Sequence, residues 1–149
     1  MTTIATNTKS MACDLQATHS GGIKFKIETK VIKLPTKTAQ QLFGVNKALV
    51  GFCGSVDAWG EIHGWFYVPE GKPPKCKRIE MLMLTDRGEI YHATNLSNWT
   101  LIKEKQFAIG SGMQFAVAAM DGGKTPLEAV KVAAKYDPNT GMGYKEFKL

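Results

Sequence analysis

No apolar run in this 149-residue chain approaches the ~20 residues that a bilayer-spanning helix needs. The N-terminus lacks a basic stretch followed by an apolar one, so no secretory signal is expected. Cysteine is scarce. Cys13, Cys53 and Cys76 are odd in number and lack CxxC spacing, which points away from both a disulfide framework and a zinc site. His19, His63 and His92 lie in unrelated settings with no metal spacing and are assigned no site, so neither a metal nor an organic cofactor is expected. Arginine is nearly missing: 17 of the 19 basic residues are lysines, leaving Arg78 and Arg87 as the forks suited to phosphate and guanine. The net charge of +6 is therefore read as a solvated lysine surface rather than a nucleic-acid footprint, despite modest clusters at Lys24/Lys26/Lys30/Lys33 and Lys72–Arg78. These absences together predict a cytoplasmic protein with no membrane and no nucleic-acid partner.

What is present is ordinary for a globular chain: 44% hydrophobic and 21% charged residues, in one expected domain spanning 1–149. Residues 2–7 and 11–16 read as a hairpin, and the alternation of Ile23, Phe25 and Ile27 with lysines and Glu28 as a half-exposed strand. Val31–Leu34 is extended until Pro35 breaks it. Residues 48–54 read as a buried strand ending in a glycine turn, followed by a helix over 56–67 packed through Trp59, Ile62 and Phe66. A proline-rich loop at 69–77 leads to a strong strand at 79–84, and shorter strands follow near 89–92, 99–103 and 105–109. An alanine-rich helix over 113–120 comes next. Thr125-Pro126-Leu127-Glu128 is a capping box with proline at the first helical position, opening a helix to Tyr136. A turn at 137–141 and a strand within 142–148 complete the chain. Runs of strands followed by paired helices predict an α+β fold of stacked antiparallel sheets with helices outside.

The chain begins Met1-Thr2-Thr3. Methionine removal is favoured when the second residue is small, and it would leave Thr2 with a free α-amine. One such residue supplies both halves of a nucleophilic pair, because its hydroxyl attacks while its amine, titrating near ~7.7–8.0, takes the proton. Taken singly, the residues that could assist have plainer readings: Asp14 as a turn carboxylate, Lys30 as a solvated charge, Gly54 as a strand end, Ser111 as a helix cap and Asp137 as a turn residue.

In combination they resemble the proteasome β-subunit family, and HslV-like peptidases most of all. The resemblance rests on Thr2-Thr3-Ile4, Ala12-Cys13-Asp14-Leu15-Gln16-Ala17-Thr18, Thr29-Lys30-Val31, Gly51-Phe52-Cys53-Gly54-Ser55-Val56-Asp57-Ala58 and Ile109-Gly110-Ser111-Gly112, in that order. It implies a four-layer αββα sandwich of the N-terminal-nucleophile hydrolases. It also implies roles: Thr2 as nucleophile and base, Lys30 easing deprotonation of its hydroxyl, and Asp14 keeping Lys30 charged and oriented. The Gly54 N–H would be the oxyanion donor, with Gly51 a lesser candidate, and Ser111 and Asp137 would hold the terminal amine. Asp137-Pro138-Asn139-Thr140-Gly141 is similar to the family's Asp-x-x-Ser-Gly, with Thr140 replacing serine. The implied function is a threonine-type peptidase acting on polypeptide inside a homo-oligomeric chamber, with an ATP-dependent unfoldase as a possible partner. The alternatives are an inactive proteasome-like scaffold that acts by binding, or a hydrolase of small amides. One departure stands out: the loop at 69–77 leaves no room for the long second helix of HslV-like subunits, so one helical layer is expected to be reduced.

Overall fold

The computed structural model describes residues 2–149. β1 (Thr3–Asn7) and β2 (Ser10–Asp14) form a hairpin at the centre of a four-stranded antiparallel sheet, flanked by β10 (Gln106–Gly110) and β11 (Tyr144–Lys148) in the order β10-β1-β2-β11. A second, five-stranded antiparallel sheet runs β5-β6-β7-β8-β9, comprising Val31–Lys33, Ala48–Gly54, Ile79–Thr85, Ile90–Ala93 and Thr100–Ile102. Between them in sequence, β3 (Gln16–Thr18) and β4 (Lys24–Lys26) pair as a small ribbon.

Period-two alternation decides which side chains meet between the sheets. Ile4, Met11 and Cys13 from one sheet meet Leu49, Leu82 and Leu84 from the other, with Ile109 and Ile90 completing the buried layer. Gly51 brings the sheets close, since a β-carbon there would stand 2.8 Å from Ile4 Cγ2. The opposite face of β6 and β7, carrying Val50, Phe52, Met81 and Met83, is covered by α2 (Val56–Tyr67) through Ile62 and Phe66. The opposite face of the four-stranded sheet presents Ala5, Ala12 and Ala108 to Ala116, Ala129 and Ala133 of α3 (Met113–Asp121) and α4 (Pro126–Tyr136). The result is a helix–sheet–sheet–helix sandwich in four layers.

Three local expectations change. The strand expected over 11–16 divides at Leu15, because the backbone N–H groups of Leu15 and Gln16 turn to Gly141, Gly143 and the Asp14 carboxylate instead of continuing the ladder. The strand expected around 23–27 shortens to Lys24–Lys26 and is exposed throughout, with Ile23 68% accessible. Pro35 does more than break a strand: it stands at the N-terminus of a helix, α1 (Thr36–Phe43), which closes at Gly44 in the left-handed conformation at φ 65°. The chain does pass from α2 to β7 through residues 68–78 without a further helix. Part of the sheet near that gap is covered by α1, whose Phe43 meets Trp99 edge-on at 5.4 Å and whose Thr38 hydroxyl donates to the Phe66 carbonyl at 2.7 Å. No helix among the described residues is long and apolar enough to cross a membrane.

Candidate active site

The open end of β1 puts Thr2 where three elements converge. Its side chain falls on the inter-sheet face, the same face as Ile4, and is 2% accessible. The Thr2 hydroxyl donates to Asp14 Oδ1 at 2.5 Å and accepts from the Lys30 ammonium. Lys30 comes from the turn just before β5 and also donates to Asp14 Oδ1 at 2.7 Å and to the Gln16 carbonyl at 2.5 Å. Sequence separations of 12 and 28 residues thus close into one contact triangle.

Asp14 is fully buried, and a buried carboxylate is costly unless its lone pairs are filled. They are filled here. Oδ1 also accepts from the Thr3 N–H at 2.9 Å, while Oδ2 accepts from the N–H groups of Gln16 at 3.1 Å and Gly141 at 3.0 Å. Burial pushes the Lys30 pKa below the usual lysine range; the Asp14 charge and hydrogen bond oppose that shift.

Behind Thr2 a second network holds the backbone. The Thr140 hydroxyl donates to Asp137 Oδ2 at 2.6 Å, so the 2.6 Å contact between Thr3 and Thr140 is a donation from Thr3. Ser111 Oγ lies 2.6 Å from Asp137 Oδ2 and 3.3 Å from the Thr2 carbonyl oxygen. Burial would raise the Asp137 pKa, but hydrogen bonds from Ser111, Thr140 and Asn139 outweigh it and hold the carboxyl below its ordinary range. Two glycines make this assembly possible. Gly110 adopts φ +94° and is so close that a β-carbon would collide with the Thr2 carbonyl, and a β-carbon at Gly112 would stand 3.1 Å from both Ala133 Cβ and Thr140 Oγ1.

Gly54 ends β6 at φ +125°, and a β-carbon there would stand 2.9 Å from Ile79 Cα. The Phe52 N–H donates to the Lys30 carbonyl at 2.9 Å. Two residues on in an extended strand, the Gly54 N–H faces the same edge, past the end of β5 and beside Thr2. Gly51, by contrast, is enclosed in the ladder between Val31 and Leu82 and has no free donor to offer.

All the residues singled out in the sequence therefore meet here except Gly51. Several others were passed over. Gln16 supplies a carbonyl to Lys30, Gly110 fits against the Thr2 backbone, and Trp59, read as packing only, lies tilted against Phe52 with ring centroids 5.2 Å apart while also lining the cavity beside Thr2. That cavity, about 170 Å³, lies between β3 and the end of β6, with Ala17, Thr18, Phe52 and Trp59 in its wall. Within the described residues, the buried Thr18 hydroxyl has no hydrogen-bond partner.

No protein-family model matches the sequence, and no curated protein matches it. Solved structures do. BPH from Thiobacillus denitrificans, determined in complex with epoxomicin, superposes with a TM-score of 0.65 at 17% identity, covering 99% of this chain and 97% of its own. The eukaryotic HslV of Trypanosoma brucei gives a TM-score of 0.66 at 16% identity over 97% of both chains. The fold is that of an HslV-like, proteasome-type subunit. A third neighbour, the Anbu complex of Pseudomonas aeruginosa, has a TM-score of 0.68 at 7% identity over 99% of this chain and 80% of its own, and its structure is a helical assembly. At such identities the likeness shows the fold alone, two antiparallel sheets between helical layers, and leaves the chemistry to the residues.

Proposed function

We propose that the chain is a threonine-type peptidase that hydrolyses peptide bonds through Thr2 once the residue before it has been removed. The observation that carries this reading is the mutual contact of Thr2 Oγ1, Lys30 Nζ and Asp14 Oδ1 beside the glycine end of β6 at Gly54. A buried lysine and a buried aspartate on one threonine hydroxyl are costly to build for structure alone. In the proposed reaction the Thr2 α-amine takes the hydroxyl proton as the oxygen attacks the scissile carbonyl. The Lys30 charge stabilises the oxygen as it loses that proton, and the Gly54 N–H receives the developing oxyanion. The amine then gives its proton to the departing peptide amine. Water, deprotonated in turn by the Thr2 amine, hydrolyses the ester and regenerates the hydroxyl. Ser111, Asp137 and Thr140 hold the amine-bearing end of the chain in place.

The cavity between β3 and β6 takes the side chain on the acyl side of the scissile bond. Its Phe52 and Trp59 walls favour an apolar residue. Polypeptide is the substrate class, and assembly with further copies into a chamber is part of the proposal. The HslV-like fold supports it, as do the exposed apolar residues Val56, Tyr67 and Val68 on and after α2. An ATP-dependent unfoldase that delivers polypeptide is the partner this reading implies.

The deciding experiment measures intact mass and peptide cleavage together. Protein that has lost Met1 should cleave peptides and take up epoxomicin at Thr2, whereas Thr2→Ala should do neither. A processed, folded protein that fails at both would sink the proposal. Protein that keeps Met1 has its Thr2 amine locked in a peptide bond, and the non-hydrolytic scaffold then becomes the better description.

A further inference from the structure

A second cavity, of about 500 Å³, opens on the other side of Thr2 and shares with the first the wall made by Cys53, Gly54 and Ser55. It is bounded by Gly110 and Ser111 on one side and by Arg78, Ile79 and Glu80 on the other. Gly110 and Ser111 flank the backbone of Thr2, so this is the side toward which the amine end of β1 points. The amine must hand its proton to the departing nitrogen. The departing half of the substrate therefore lies on this side, and the residue just after the scissile bond occupies the second cavity.

One carboxylate is held in that cavity. Glu80 lies on β7, opposite Cys53 of β6. Its two oxygens are fixed separately: Oε2 accepts from the Cys53 thiol at 3.5 Å, and Oε1 lies 2.9 Å from His92 Nε2 on β8. Burial, followed by the charge and hydrogen bond of Glu80, raises the Cys53 pKa, so the thiol stays protonated and donates. His92 is itself steadied edge-on to Phe107, with ring centroids 6.0 Å apart. Glu80 and His92 each retain partial exposure, 32% and 25% of the side chain, so the carboxylate remains reachable from the cavity. Arg78, the other charged wall residue, is exposed, and its backbone adopts φ 58°. The Cys53 thiol and the His92 ring hold the two carboxylate oxygens in place, and among the described residues no lysine or arginine is paired with Glu80.

We propose that this cavity is the subsite for the residue following the scissile bond, and that Glu80 selects a lysine or arginine there. The inference rests on the peptidase reading and adds a preference that the reading itself does not require.

The test uses the processed protein and a set of internally quenched peptides that differ only in the residue after the cleaved bond, carrying lysine, leucine or glutamate. The ratio of kcat/KM for lysine over leucine should be about tenfold, as a charge-assisted contact provides. It should fall to near one in Glu80→Gln and invert in favour of glutamate in Glu80→Lys. Binding is measured in parallel on Thr2→Ala protein, by calorimetry with short peptides beginning with lysine or norleucine. A lysine advantage there that Glu80→Gln removes supports the subsite whether or not turnover is seen. Cleavage of all three peptides at equal rates overturns the inference and leaves the peptidase reading standing. No cleavage of any peptide, with the lysine advantage in binding intact, overturns the peptidase reading instead. Equal binding of the lysine and norleucine peptides to the Thr2→Ala protein overturns the subsite outright.

Discussion

Gly110 is fitted directly against the carbonyl of Thr2, across the β1–β10 ladder, in a conformation that L side chains rarely adopt. An alanine at 110 would have to push the Thr2 peptide aside as well as bear the strain of φ +94°. Gly110→Ala is expected to lose about 1–3 kcal/mol of stability and to lower kcat by more than tenfold. Denaturant unfolding and peptide turnover check the two effects together, and unchanged turnover would mean that the Thr2 backbone has more freedom than this contact allows.

Thr2→Ala and Lys30→Met should separate chemistry from stability. The first removes the proposed nucleophile yet leaves Asp14 paired with Lys30, so stability should change by about 1 kcal/mol. The second strands a buried carboxylate, at a cost of about 3–5 kcal/mol. Both should abolish peptide cleavage. If Lys30→Met proves as stable as the parent, Asp14 is not held as an ion in the folded protein.

Asp137 carries a pH signature. Its folded pKa lies below the ordinary 3.8, so the folded state binds fewer protons than the unfolded chain as acid is added. Its contribution is present above pH 3.8 and is lost as pH falls through the lower folded value. Asp137→Asn should therefore be less stable near neutrality and show a flatter stability profile at acid pH. Parallel profiles for the two proteins, measured by urea unfolding at several acid pH values, would contradict the assignment.

At the start of α4, Thr125 Oγ1 accepts from the Glu128 N–H at 3.2 Å and Glu128 Oε2 accepts from the Thr125 N–H at 2.8 Å. Thr125→Ala should cost about 1 kcal/mol. The cap lies at the end of α4 away from Asp137, so kcat should stay within about twofold while Tm falls. A large loss of kcat would show that the tilt of α4 reaches the site.

What the sequence discloses divides along a physical line. The capping box at Thr125, the apolar run Met81–Leu84 and the glycine turn at 54 are local signals, and each gives its element with nearly correct bounds. The break at Leu15 is not local. It follows from Asp14 drawing N–H groups from Thr3, Gln16 and Gly141, residues that come together only after folding. Helix α1 is eight residues long, begins at a proline and has no side-chain cap, so its stability comes from packing on the sheet and α2 rather than from its own sequence. His92 looked isolated because its partner, Glu80, lies on the neighbouring strand. The residues of the candidate site are readable as a set of ordered motifs, whereas Gln16, Gly110 and Glu80 come into contact with it only in three dimensions.

The alanine seam between the four-stranded sheet and the paired helices works as a gauge. Ser111 stands at the head of α3 and Asp137 at the foot of α4, so the thickness of that seam sets their height above the end of β1. A larger side chain at Ala5, Ala12 or Ala133 would act as a shim, lifting Ser111 off Thr2 and carrying its partner Asp137 with it while the fold stayed intact. Turnover, rather than melting temperature, would then be the finer measure of how closely this chain is packed.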